Sequence, residues 1–345
     1  MQEQHWLNYL RVMAILAVLA IHVSAPVYYD YGNIPDFDWW IANVINAVSR
    51  FCVPMFVMIS GALLLGRETN TIDFYKKRGL RLLPAIIVWS ALFAIFTILT
   101  HPEVLDYGLF SYLVGIVLEG KAYYHLWYLS MFACLMLFAP FLNLFVIGKR
   151  PDGQDIFILF LIFCLFFLMQ QASMTAEYVP DISRDFQWFR EFPMYIAYFV
   201  MGYYLKEYKD RIRLSRTSLL LCLAALMILG IFENYYLALQ YNIIKDNLAL
   251  ANESLSVFLI TSCIFLIFAK SQHVLKENKL IAMIASCSFG IYLIHPIFLH
   301  FMRKAMYPFI NNPTIYMLVA LALLFLLSFA TIFMLRQVRP FRYIS

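Results

Sequence analysis

The sequence predicts an all-α fold, a polytopic integral membrane helical bundle of about ten transmembrane helices with both termini in the cytoplasm. Three observations predict it. Of 345 residues, 63% are hydrophobic and 14% charged, where an ordinary soluble domain has about a quarter charged. Apolar runs long enough for ~30 Å of hydrocarbon recur from end to end. Lys and Arg are sorted unequally between alternate loops, as cytoplasmic retention of short basic loops requires.

In chain order the runs are 12–29, 40–65, 82–100, 124–147, 156–171, 191–205, 217–232, 254–270, 281–302 and 314–335. Backbone polar groups in lipid must bond within their own segment or close into a barrel, and continuous apolar character without alternation selects helices. The first run could pass for a signal peptide, but it is long, and its first small-residue pair, Ser24-Ala25, leads straight into Pro26. It reads as an uncleaved helix. No domain-sized polar stretch separates the runs, so residues 1–345 read as a single membrane-embedded domain.

Nineteen of the 26 Lys and Arg lie at 11, 67–81, 149–150, 206–216, 270–279 and 336–342, and six lie at 121, 184, 190, 245, 303 and 304. That bias puts the first set and both termini inside. Arg50 alone falls within a span. The net charge of +5 therefore reports topology and excludes a nucleic-acid partner, because its cations sit in short juxtamembrane loops. All six cysteines fall in or at apolar spans without ligand-like pairing, which reads as free thiols and neither a metal site nor a disulfide framework.

Four external loops, near 30–39, 101–123, 172–190 and 233–253, exceed what a tight helical hairpin needs. They carry acids such as Asp30, Asp36 and Asp38 among Tyr28, Tyr29, Tyr31, Trp39 and Trp40. This describes either an interfacial aromatic belt or a vestibule for a hydroxylated acceptor.

Ionisable groups at membrane depth are costly and mark candidate sites. His22 lies eleven residues after Arg11, which on a helix is three turns plus ~20°, so both face one way about 16 Å apart. An imidazole there, with an ordinary pKa of about 6.5, suits a neutral general base, or serves as hydrogen-bonding glue between helices. In the loop Phe74-Tyr75-Lys76-Lys77-Arg78-Gly79-Leu80-Arg81, Arg78 and Arg81 share a helix face. They are either anchors of the positive-inside kind or, with Lys77, a grip for phosphates. His125-Leu126-Trp127-Tyr128-Leu129 opens the fourth span, and Tyr292 and His295 share a face of the ninth, where Pro296 frees a backbone carbonyl. That spot forms a polar pocket or a kink.

Together these residues resemble the acyltransferase family 3 of membrane-bound acyl transferases, whose signature is an arginine and a histidine with ten residues between them in the first helix. The similarity continues through Ser60-Gly61, the Phe74, Arg78, Arg81 and Pro84 set, the 125–129 cluster and Tyr292 to Pro296. The chain departs from the family pattern at Asn8, where an aspartate often precedes the arginine. An amide can bond Arg11 but cannot neutralise it.

The resemblance implies a membrane-bound O-acyltransferase of the bacterial inner membrane. Its donor substrate is a cytoplasmic acyl-CoA, probed first as acetyl-CoA, and its acceptor is a hydroxyl of a lipid-linked or surface glycan. It implies His22 and Arg11 as catalytic, Arg78, Arg81, Lys77 and Ser60 as donor-binding, and His125, Trp127, Tyr128, Tyr292 and His295 as substrate-binding. Neither the acceptor, nor direct transfer against an acyl-enzyme, nor the oligomeric state follows from it. The competing class is a secondary transporter or flippase, which buried His and Arg among many helices also describe. Such proteins carry inverted repeats or matched broken helices, and no repeat is visible here.

Overall fold

The structure, a computed structural model, describes residues 5–106, 108–176, 192–241, 250–252, 254–306, 308–338, 341–342 and 344. Among them every regular element is helical. The order is α1 (His5–Tyr28), α2 (Asp36–Ser49), α3 (Cys52–Leu64), α4 (Thr71–Thr100), a 3-10 turn (Pro102–Leu105), α5 (Leu109–Glu119), α6 (Trp127–Ile147), α7 (Gly153–Ala176), α8 (Phe192–Tyr208), α9 (Arg216–Tyr241), α10 (Leu255–Lys270), α11 (Lys279–Met306) and α12 (Pro313–Leu335).

Among the described residues seven spans are long and apolar enough to cross a membrane: α1, α2 with α3, α4, α6, α9, α11 and α12. Several of the helix ends have a local cause. Asn70 Oδ1 accepts from the amides of Ile72 and Asp73, starting α4, and Asn312 does the same for Ile315 with Pro313 behind it. Gly120 and Gly148 close α5 and α6 in left-handed conformation, where a Cβ would be strained.

The helices depart from the expected runs in three places. The run 40–65 is broken into α2 and α3 at Arg50-Phe51. Pro54 explains it, because without an N–H it cannot bond the carbonyl of Arg50 four residues back. The third run starts early, at Thr71, so the basic cluster is already helical. The stretch 101–123, expected as an external loop, contains α5, an eleven-residue apolar helix too short at about 16 Å to cross. Most of the expected loop 172–190, with Arg184 and Trp188, lies outside the described residues, as does Lys245.

The chain divides into two compact units, Met1–Leu63 with Tyr198–Tyr343, and Leu64–Ala197 with Ile344. In the first, α1 packs on α2, α10, α11 and α12, and α9 packs on α2 and α10. Two glycines let α3 and α8 touch backbone to backbone. A Cβ on Gly61 would sit 1.7 Å from Phe199 O, and one on Gly202 would sit 2.0 Å from Met58 O. Lys206 then donates to Ala62 O at 2.9 Å. The glycine of Ser60-Gly61 thus serves close helix packing.

In the second unit α4 packs on α6 and α5 on α7. Thr71 Oγ1 donates to Asp155 at 2.5 Å and Tyr75 Oη to Leu137 O at 2.6 Å. Asn143 accepts from Gly66 N at 2.8 Å and donates to Arg67 O at 2.7 Å. These bonds fix the start of α4, where the cations lie.

Candidate active site

In the first unit α1 is continuous from Arg11 to His22, so the two lie about 16 Å apart along one face. Arg11 Nη1 donates to Asn8 Oδ1 at 2.8 Å, a contact one turn back along the same helix.

His22 is half-buried, and its ring lies 5.0 Å from that of His295, centroid to centroid, at 31°. Two histidines far apart in sequence thus meet between α1 and α11. Tyr292, also buried, has its ring 6.0 Å from His295. His295 Nδ1 lies 2.6 Å from Tyr292 O. A carbonyl only accepts, so Nδ1 carries the proton and Nε2 is the basic nitrogen of neutral His295.

The carbonyl of Tyr292 needs that donor because Pro296, four residues on, supplies none. The same rule acts twice more. Pro26 deprives His22 O of its helical donor, and Arg303 Nη2 donates to it instead at 3.3 Å. Pro54 frees the carbonyl of Arg50 where α2 breaks. A proline four residues beyond each of His22, Arg50 and Tyr292 is legible in sequence, and it leaves each of those carbonyls without its helical donor.

Sequence reasoning assigned no role to Arg50 or Arg303. The positive charges of both act on the His22 ring. Arg50 Nε donates to Asn46 Oδ1 at 2.9 Å. Asn46 and Asn43 are fully buried, and Asn43 donates to Ile231 O at 3.1 Å and accepts from Asn234 at 3.0 Å, tying α2 to α9. The signal for Arg50 was its isolation as a cation within a span.

Ser60 is half-buried and donates to Phe56 O at 2.8 Å, so its hydroxyl proton is held within α3. Ser60 lies in the first unit, and Lys77, Arg78 and Arg81 lie in the second.

On α4, Arg78 is half-buried with its guanidinium 5.9 Å from the Phe74 ring centroid, a cation–π contact. Lys77 and Arg81 are exposed. None of the three is in an ion pair among the described residues.

His125 is buried at the start of α6 against Phe93, Tyr123 and Tyr124, with centroids at 4.8, 5.9 and 5.6 Å. Trp127 meets Tyr195 at 6.0 Å, and Tyr128 stacks on Phe132 at 5.6 Å. The expected substrate residues therefore divide: Tyr292 and His295 join His22 in the first unit, and His125, Trp127 and Tyr128 form an aromatic cluster in the second.

The family described as acyltransferase domain (acyltransferase 3) matches residues 4–333. No curated protein and no solved structure matches the chain.

Proposed function

Because the chain belongs to the acyltransferase domain family, and is thereby a multi-pass membrane acyltransferase, we propose that it moves an acetyl group from cytoplasmic acetyl-CoA to a hydroxyl of a lipid-linked or surface glycan. The place is the outer face of the bacterial inner membrane. The stretch Ile41 to Val44, with Ser49-Arg50, Val53-Pro54 and Met58 to Gly61, is similar to the O-acetyltransferase of enterobacterial common antigen, which favours a glycan acceptor.

The observation that carries the reading is the pair of imidazoles, His22 and His295, 5.0 Å apart in line with Arg11. His22 takes the acceptor hydroxyl's proton as its oxygen attacks the thioester carbon, and returns the proton to the departing CoA thiolate. His295 and Tyr292 border the acceptor. Arg78, Arg81 and Lys77 hold the nucleotide phosphates of CoA through charge and guanidinium forks. Arg11 clamps a phosphate or pantetheine carbonyl. Ser60 faces the donor through its oxygen lone pairs. The aromatic faces of Trp127 and Tyr128, with His125, suit a sugar.

The accompanying topology has ten spans, the seven long ones with α7, α8 and α10, and both termini inside. The test is mass spectrometry of surface glycans from cells with and without the gene, and with His22→Ala. An acetyl mass that disappears in both deletion and variant is expected. An unchanged glycan profile in the deletion overturns the acceptor class, and normal acetylation by folded His22→Ala overturns the base.

A further inference from the structure

The broken helix places one cation where nothing assigned so far uses it. Trp39 Nε1 donates to Tyr28 O at 2.9 Å, and the two rings stack, so these residues mark one level on the antiparallel helices α1 and α2. Arg50 lies eleven residues further along α2, about 16 Å, which on α1 corresponds to a level midway between Arg11 and His22. An electrostatic influence of Arg50 on His22 and on Tyr28 agrees with that level.

The chemistry around Arg50 is donor-rich. Its one side-chain hydrogen bond among the described residues is Nε to Asn46 Oδ1, and it is in no ion pair there. That bond occupies the acceptor end of Asn46 and fixes the orientation of the amide. The other end, Asn46 Nδ2, is fully buried with no partner among the described residues. A buried amide N–H without an acceptor is costly, and a half-buried guanidinium without a carboxylate is likewise uncompensated. Both would be satisfied by an oxygen that carries negative charge.

We propose that Asn46 and Arg50 form the oxyanion-binding pair of the acyl transfer, donating from Nδ2 and the guanidinium to the thioester oxygen when it becomes an anion beside His22. This rests on the acyltransferase reading above. The acceptor oxygen forms a bond to the acyl carbon while the carbonyl π pair moves onto oxygen and His22 takes the proton. Collapse returns that pair, breaks the carbon–sulfur bond, and the thiolate leaves with the proton from His22. The donors act only on the charge that exists between those steps, so they lower the barrier without tightening donor binding. The Pro54 break serves the same end by ending α2 at the level where Arg50 must turn inward.

The test uses full-length protein in nanodiscs, acetyl-CoA as donor, and membrane vesicles from its native host lacking the gene as acceptor, with release of CoA thiol as the readout. Asn46→Asp places a carboxylate against Arg50 at nearly constant volume. It is expected to leave the melting temperature unchanged or higher, since an ion pair replaces a neutral contact, and to lower kcat by about 10²–10³ with the acetyl-CoA KM within about threefold. Arg50→Gln is expected to lower kcat similarly, with Arg50→Lys between it and wild type. Asn46→Asp that folds and keeps near wild-type kcat overturns the pair. So does a rise in KM at constant kcat, which would make Arg50 a ground-state clamp. If wild-type protein releases no CoA under these conditions, the acyltransferase reading falls and the pair with it, whereas activity in wild type that is insensitive to residues 46 and 50 sinks the pair alone.

Discussion

His22 and the cations of α4 act at different moments of the proposed reaction and should leave different kinetic traces. His22→Ala is expected to lower kcat by about 10²–10⁴ with CoA binding nearly intact, because a general base acts in the transition state. Arg78→Ala and Arg81→Ala are expected mainly to raise the acyl-CoA KM, because phosphates are held equally before and during transfer. Steady-state kinetics on purified variants separate the two, once size-exclusion profiles show each variant folded. Gly61→Ala belongs to another class. Its Cβ would meet Phe199 O at 1.7 Å, an overlap with backbone that no rotamer relieves. We expect a loss of about 3 kcal/mol, read as a marked drop in melting temperature, with His22 chemistry intact in whatever fraction folds.

At the level of elements, the apolar runs were legible because length and hydropathy decide them: a helix lies at each of the ten, and among the described residues seven spans are long and apolar enough to cross a membrane. Their ends were less so, since α4 and α9 extend as polar-faced helix past the apolar part. The break at Arg50-Phe51 was hidden for a different reason. Hydropathy is continuous across it, and only the relation of Pro54 to the carbonyl four residues earlier discloses it. Half of the candidate site was readable for the same kind of reason: Arg11 with His22, and Tyr292 with His295, are near neighbours along one helix. The meeting of His22 with His295, and of Arg303 with the His22 carbonyl, depends on which helices pack, which periodicity does not encode. If the break has the role assigned to it, Pro54→Ala should restore the missing hydrogen bond, leave thermal stability equal or higher, and reduce acetyl transfer by about tenfold or more. An active Pro54→Ala protein would make the break incidental.

For the whole molecule, the sorting of Lys and Arg makes a prediction that no single site does. Cysteine substitutions in 206–216 should be shielded from a membrane-impermeant thiol reagent in intact cells and labelled after permeabilisation, as should substitutions in 149–150. Labelling of the 206–216 loop from outside would invert the assignment. Purified protein should also bind CoA with an affinity that falls as salt rises, since Lys77 and Arg81 are exposed and their attraction is screened. Salt-independent binding would remove them from the phosphate grip.

The first compact unit is assembled from two separated stretches, Met1–Leu63 and Tyr198–Tyr343. During synthesis the chain enters the bilayer from its N-terminus, at roughly 5–20 residues per second. Some time on the order of ten seconds separates the insertion of α1 from that of α8, and longer still passes before α11 arrives. Through that interval His22 is in lipid before Arg303 and His295 have been made, with its Pro26-freed carbonyl uncapped. The nascent intermediate therefore carries costly polar groups that only an insertase, or later helices of the same chain, can shield. Ribosome-released fragments ending before residue 198 should accordingly be cleared by membrane proteases, while the same stretch survives when 198–345 is supplied as a separate polypeptide.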